Sequence, residues 1–521
     1  MQDRDVVIVG SGFGGSLLAM VLHRLGLRVT LIERGKHPRF AIGESTTPLM
    51  NLLIEQLAKK YDLPRLLPLT TYGAWQEAYP DVVCGKKRGF TYYHHKQDEP
   101  FVRDAERQNE LLVAASPHDF VADTHWLRAS VDHFLVQEAV FIGVDYQEET
   151  SLMEADRTSD GVVLRGERHG NPYTVKARFL VDATGPRGFL SRLWSLPEQG
   201  FANYPNTQAL FSHFTGVALC EELPGFFSTE KPPYPVDAAA LHHVFEGGWM
   251  WVLRFDNGVT SAGFSVTDAL ANELGVSEGE PAWGRFLARF PSIAAHFVNA
   301  KPIERFFTIP TVAYRVGVMA GENWCLLPSA AAFVDPLFSS GMPLTLLGIE
   351  RLGRIFAEHW NLPTFGEELE RYAETSLTEA DATAHLVSAA YAAFANFPLF
   401  ANLSMFYFAS ASYGEMARRV ENPHLITRFL GVDRADYAPA LERACTRLQQ
   451  GEVTDVSAFA AEVARAISLL NIAGLACPSK RNWYGVELED TIRAAGKLEV
   501  TSDAMRTLMA TAEWAQFPKD A

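Results

Sequence analysis

The sequence predicts an α/β protein: an open, mostly parallel sheet of the doubly wound kind, an inserted antiparallel sheet, and a mainly helical C-terminal region. Three observations predict it. Residues 5–33 read as strand, glycine-rich turn, helix, strand and terminal acid. Residues 205–265 are aromatic and alternate with period two. Beyond about residue 361 the apolar spacing is helical.

The first unit is the most specific. Asp5-Val-Val-Ile-Val9 is a short apolar run, typical of a buried parallel strand. It enters Gly10-Ser-Gly12-Phe13-Gly14-Gly15, then an apolar helix over 16–25 and a second strand, 28–33, that ends on Glu33. Gly10 permits the tight turn, Gly12 lets a pyrophosphate approach the backbone, and Gly15 lets helix and strand pack closely. The helix N-terminus offers free N–H groups to phosphate. Glu33 stands 23 residues after Gly10, where a carboxylate reaches ribose hydroxyls. This is a Rossmann-type dinucleotide site. A merely structural glycine turn leaves the terminal acid unexplained.

Bulk properties bound the rest. A chain of 521 residues is too long for one simple core. Apolar content of 48% and charged content of 21% describe an ordinary globular protein. A formal charge of −16 argues against nucleic acid and against an anionic membrane surface as partners. The five cysteines include no C-x-x-C pair, which fits a reducing compartment without a zinc site. A cytoplasmic location is expected.

After Glu33 a polar loop carries Arg39 and Gly43-Glu-Ser45-Thr46-Thr47-Pro48, then a helix over 49–60. The loop follows the ribose acid and can wrap a cofactor. Equally, Thr47 can cap the helix with Pro48 in its first turn. Lys86, Lys87 and Arg88 precede an aromatic strand with Phe90 and Tyr92 on one side. A desolvated lysine beside other cations has a lowered pKa; a solvated loop is the plainer reading. Residues 125–135 read as an amphipathic helix on the cofactor side, with Arg128 in it. A hairpin over 162–167 and 173–176 leads to a strand ending in Asp182-Ala-Thr-Gly185, a small-residue turn of the kind a doubly wound sheet presents to ligands.

In the aromatic sheet, Trp249 and Trp251 share a face; core packing competes with a pocket role. No second G-x-G-x-x-G occurs, so no nicotinamide domain is expected. Residues 323–342 repeat the pattern of strand, small-residue loop and helix, with Asp335, Pro336, Ser340, Gly341 and Met342 at the turn. That is a second place for an anion or a cofactor carbonyl. The aromatics of 391–408 have helical spacing and fit core packing better than a lid.

Together these motifs resemble the FAD-dependent monooxygenases of the para-hydroxybenzoate hydroxylase type. Within them the chain is similar to the flavin-dependent halogenases, those acting on phenols or pyrroles more than those acting on tryptophan. The fingerprint, Glu33 and the Asp182–Gly185 turn carry the broader likeness. The narrower one rests on 43–48, on Lys87-Arg-Gly-Phe90, on Trp249-Met-Trp251, and on Phe333-Val-Asp-Pro-Leu-Phe-Ser-Ser-Gly341, which fits F-x-x-P-x-x-S-x-G. Phe338 stands where tryptophan halogenases have a glutamate, and with Trp249 and Trp251 it is expected at the substrate. The resemblance implies an FAD-binding domain over 1–360, interleaved with a substrate sheet at about 205–315, and a helical region over 361–521.

It also implies the chemistry. FAD, reduced by a separate flavin reductase, and O₂ oxidise chloride or bromide to hypohalous acid. The backbone of Ser340 and Gly341 would hold the halide, and Lys87 would hold or activate the oxidant beside a small aromatic substrate, free or tethered to a carrier protein. The base that takes the ring proton is not assigned; Glu246, His242 and His243 are near the right sheet. Two positions depart from the family pattern. The W-x-W-x-I-P motif ends here in Val252-Leu-Arg254, and the Gly-Asp before F-x-x-P is Pro328-Ser329. The first favours an aromatic hydroxylase as the alternative, the second an FAD-binding protein without this chemistry.

Overall fold

In the computed structural model, which describes residues 2–512, the first sheet grows outward from the fingerprint. β1 (Gln2–Val9) lies between β2 (Val29–Ile32) and β10 (Asn171–Asp182), parallel to both. The short strand Trp324–Leu326 continues the sheet beyond β10, and β7 (Asp145–Gln147) beyond β2. Val6, Val7 and Ile8 are wholly buried, as an unbroken apolar run demands of a central parallel strand. Helix α1 (Phe13–Arg24) packs against α4 (Arg128–Phe141) and the helix Gly341–Glu358. The expected hairpin and the strand after it are one element: β9 (Gly161–Arg168) pairs with the first half of β10, whose second half enters the parallel sheet.

The second sheet runs from β11 (Thr207–Thr215) through β14 (Thr260–Thr267), β13 (Gly248–Arg254) and β12 (Ala240–Phe245) to β4 (Gly89–His95) and β5 (Glu110–Ala114). It reaches outside residues 205–315 at both ends of the chain, since Trp483–Tyr484 adds a strand beside β5. Most neighbours are antiparallel, but β12 and β4 are parallel, as are β5 and Trp483–Tyr484. Its two faces follow strand alternation. Trp249, Trp251, Phe211 and Tyr92 face the large core shared with the first sheet; Met250, Val252, Phe264 and Tyr93 face a separate core closed by Glu280–Arg289 and Pro291–His296.

One expected helix is corrected. His125 and Trp126 belong to a strand, β6 (Asp123–Trp126), paired with β3 (Cys84–Lys87), and α4 begins only at Arg128. The apolar spacing of 125–135 suits a helix, but pairing with a distant segment overrides it. The C-terminal region is helical as expected, with long helices at Phe365–Ala393 and Phe397–Arg419 and an amphipathic one at Val456–Ile467. Among the described residues no helix is long and apolar enough to cross a membrane, no acidic, histidine or cysteine group is placed to hold a metal ion, and all five cysteines are free.

Candidate active site

A cleft of about 700 Å³ runs between the two sheets, from Glu33 to Trp249 and Ser340. At one end stands the fingerprint turn. Gly10 has φ +101°, and a Cβ there would lie 2.7 Å from the Ala183 carbonyl oxygen; a Cβ on Gly15 would lie 1.9 Å from that of Gly10. Gly12, Phe13 and Gly14 line the cleft. A Cβ on Gly12 would meet the guanidinium of Arg128 at 3.5 Å and that of Arg39 at 4.0 Å. Two cations thus flank the backbone where α1 presents its free N–H groups.

Glu33 is fixed as an acceptor. It takes bonds from Ser11 N and Oγ, Gly35 N and Arg39 Nη2. Burial pushes its carboxyl up; Arg39 and those donors outweigh it and hold the pKa below the ordinary value. Arg128 forks onto Asp132 and donates to the Ile42 and Gly43 carbonyls, pinning the 39–48 loop. Arg39 Nε and Ser45 Oγ border the cleft, buried and without a partner. Phosphate-facing cations, a ribose acid, spare donors and a volume in the range of cofactor pockets fit a flavin dinucleotide.

Three cofactor candidates serve the fold instead. The Asp182 carboxylate, wholly buried, is taken up by Thr184 N and Oγ1 and Leu190 N, so it shapes the Ala183–Gly185 turn that itself lines the cleft. Thr46 exchanges hydrogen bonds with the Thr124 backbone, and Thr47 caps α2 (Pro48–Lys60) through Met50 N. All three lie outside the lining, their short side chains satisfying backbone groups of the fold.

At the other end is the F-x-x-P-x-x-S-x-G turn. Asp335, Pro336, Ser340, Gly341 and Met342 line the cleft, and Gly341 opens the helix Gly341–Glu358. Leu337 and Phe338 point the opposite way. Phe338 stacks on Tyr407 at 4.8 Å and lies beside Phe408, and both of those rings also touch Phe90. The aromatics of 391–408 are therefore packed wall, as expected.

Lys87 lies against that wall. Its side chain is wholly buried, with Nζ 3.8 Å from the Phe90 ring centroid and bonded to the Thr46 carbonyl. Lys86 and Arg88 alternate outward and share Asp119 at the surface. The basic run thus splits into a pair on one side, Lys86 partly exposed and Arg88 buried, and one interior amine on the other, as strand geometry requires. Burial lowers the pKa of Lys87. Lys87 does not border the cofactor cleft; the carbonyl it holds belongs to the loop that does.

Comparison with known proteins decides the family. A tryptophan halogenase family model matches residues 104–396, and an FAD dependent oxidoreductase model residues 5–191. Monodechloroaminopyrrolnitrin halogenase PrnC of Pseudomonas fluorescens is 30% identical over 408 residues, 76% of this chain and 69% of its own. The chain belongs to the flavin-dependent halogenase family. Tetracycline 7-halogenase of Kitasatospora aureofaciens is 28% identical, over 82% of this chain and 77% of its own. The crystal structure of halogenase PltM with phloroglucinol and FAD superposes with a TM-score of 0.81 at 26% identity, covering 92% of this chain and 99% of that one. This halogenase is an FAD-dependent enzyme acting on an aromatic substrate.

Other sites of this halogenase depart from the sequence expectations. Arg254 does not enter the cleft. On β13 it alternates with Trp249, Trp251 and Leu253, so it projects to the rear, where it bonds Asp237 and the Val217 and Ala218 carbonyls. The hydroxylase reading loses its support there. Of the base candidates, Glu246 is exposed at the β12–β13 turn and His243 faces the rear core, while His242 borders the cleft stacked on Tyr92 at 4.3 Å. Pro328 and Ser329 line the cleft in place of Gly-Asp. Sequence reasoning missed Glu44, which pairs with His213 of β11 at 2.8 Å and ties the cofactor loop to the second sheet. It also missed Tyr391, bonded to Asp335. Glu44 lies within the 43–48 stretch and Tyr391 among the aromatics of 391–408, but the partners of both are distant in sequence, which hides these roles.

Proposed function

We propose that this halogenase places a halogen on a small phenol-like ring, through hypohalous acid delivered to Lys87. The carrying observation is the interior amine itself. A lysine buried on an aromatic face, with only a neutral carbonyl as its hydrogen-bond partner, is costly to keep and of no evident use to the core. Bound FAD, once reduced, supplies with O₂ the oxidising equivalents that turn halide into hypohalous acid. The backbone N–H groups of Ser340 and Gly341 at the helix N-terminus suit the halide.

Lys87 donates to the oxygen of HOX, polarising the O–X bond. The ring attacks X, the ring C–H bond breaks, and the sum is Ar–H plus HOX giving Ar–X plus water. The wall of Phe90, Tyr92, Phe338, Tyr407 and Phe408 carries no formal charge, which favours a neutral ring over a zwitterionic amino acid. A phenol is further supported by the phloroglucinol bound in PltM. A separate reductase supplies the reduced flavin, since one dinucleotide fingerprint is present. The place of action is the cytoplasm.

The test supplies the protein with FAD, NADH, a flavin reductase, O₂ and chloride or bromide, over a panel of phenols, pyrroles and indoles. Products are read by mass for wild type and Lys87→Ala. A halogen isotope pattern on phenols that vanishes in Lys87→Ala supports the reading. A gain of one oxygen that ignores both halide and the substitution rejects it.

A further inference from the structure

The strand that carries Lys87 is paired residue for residue with β6, and the residue opposite Lys87 is Asp123. Opposed residues of an antiparallel pair project to the same face. Asp123, like the lysine, is buried, 4% exposed against 0%. Its Oδ1 accepts from Asn51 Nδ2 at 2.7 Å, and its Oδ2 is buried without a partner. Leaving a buried carboxylate oxygen bare is expensive, so its place facing an interior amine calls for a reason.

The other titratable groups around the pair do not supply one. On the lysine side, His125 of β6 and His242 of β12 are both wholly buried and held neutral. On the aspartate side stand Tyr407, Glu415 and Arg419 of the helix Phe397–Arg419, and Glu415 is already paired with Arg419 at 2.7 Å. Asp123 is thus the uncompensated carboxylate closest in kind to what Lys87 lacks.

We propose that Asp123 is a positioning residue that sets the proton occupancy of Lys87: amine and carboxylate hold one proton between them, and its location decides whether the lysine meets the oxidant as ammonium donor or free amine. This rests on the reading of Lys87 as the amine that meets the oxidant. Burial draws Lys87 toward the amine and Asp123 toward the acid, while each charge favours the other. The pair carries no net charge in either form, which suits a dry site. Substitution releases one proton from the ring carbon. A free amine accepts it, becoming ammonium, and returns to the amine by passing that proton to the hydroxide left when the O–X bond breaks, giving water, while Asp123 keeps its own proton.

The test reads the lysine directly. Protein carrying ¹³C at lysine Cε is titrated by NMR, and the Lys87 signal is assigned by its loss in Lys87→Arg. In Asp123→Asn the midpoint is expected to fall by about one pH unit or more, a tenfold change in proton affinity, and Asp123→Glu to restore it. The acid limb of the halogenation profile should move with it. A midpoint that ignores Asp123→Asn overturns the proposal, as does a shift that Asp123→Glu fails to restore. If the midpoint shifts but Lys87→Ala still halogenates, the coupling stands and the reading of Lys87 falls. If Lys87→Ala is inactive but the midpoint ignores position 123, the lysine reading stands and the proposal falls.

Discussion

Trp249 donates its indole N–H to Asp335 Oδ1 at 3.1 Å. The same carboxylate accepts from Leu337 N, Ser265 Oγ and Tyr391 Oη. One buried acid therefore ties the Trp-x-Trp strand, its neighbour β14, the turn at 333–341 and the helix Phe365–Ala393. Burial pushes its pKa up to about 6, against the pull of Tyr391, Ser265, Leu337 and Trp249. Trp249→Phe keeps an aromatic ring and removes one donor. It should cost about 1–3 kcal/mol of stability in urea unfolding. Tyr391→Phe should cost a similar amount, and the double variant should depart from additivity, because both donors serve one acceptor.

Gly12 and Gly15 should fail differently. A Cβ on Gly15 collides with the Gly10 carbonyl, so Gly15→Ala should destabilise or abolish the fold. A Cβ on Gly12 has room in the protein itself, its nearest neighbour being Arg128 at 3.5 Å, yet occupies the approach of a pyrophosphate. Gly12→Ala should retain the wild-type unfolding midpoint and lose FAD affinity by about tenfold or more, roughly one charge-assisted hydrogen bond. Thermal unfolding and flavin fluorescence titration separate the two. Unchanged FAD binding in Gly12→Ala would place the phosphates elsewhere.

Much of this arrangement was legible because its signals are local. The fingerprint, the turn at 333–341 and the alternation around Trp249 each lie within one short stretch, where period and residue type determine direction. Alternation also gives the direction of Arg254: two residues past Val252, it shares that residue's rear face. What was not legible depends on pairing across distance. His125 looks helical until β3 is known to lie beside it. Asp123 and Asn51 are unremarkable in sequence, and Thr46 reads there as a cofactor-loop residue; their roles emerge only because loop, ribbon and α2 converge around Lys87 and Asp123. Asp182 shows the converse limit: the motif located the turn but not which atoms face the ligand.

Five histidines make stability depend on pH. His95, His125, His242, His243 and His296 are buried, and burial pulls the first three down to about 3 and the other two in the same direction. In the unfolded chain each titrates near 6.5. As pH falls through 6.5 the unfolded state takes up protons that the folded state refuses, so their contribution is complete above 6.5 and is lost toward 3. Each can cost up to about 1.4 kcal/mol per pH unit. Urea midpoints should fall steeply between pH 7 and 5.5, and His95→Gln should flatten the slope. A level profile would mean that the histidines take up protons in the folded state.

Lys87 offers a test in which function and stability move apart. Its methylene stem packs in the aromatic wall, while its amine is desolvated against one neutral carbonyl. Lys87→Met keeps length and apolar contact and removes the amine. The desolvation cost disappears, and Asp123, which burial already pushes toward the neutral acid, keeps its bond to Asn51. The variant should unfold at the wild-type temperature or above it, bind FAD as before because residue 87 does not border the cleft, and halogenate at least about 100-fold more slowly. Alanine alone could not separate these effects, since its cavity destabilises the wall whatever the amine does. A Lys87→Met protein that is less stable, and slower only in proportion to the folded fraction lost, would make the lysine a packing residue.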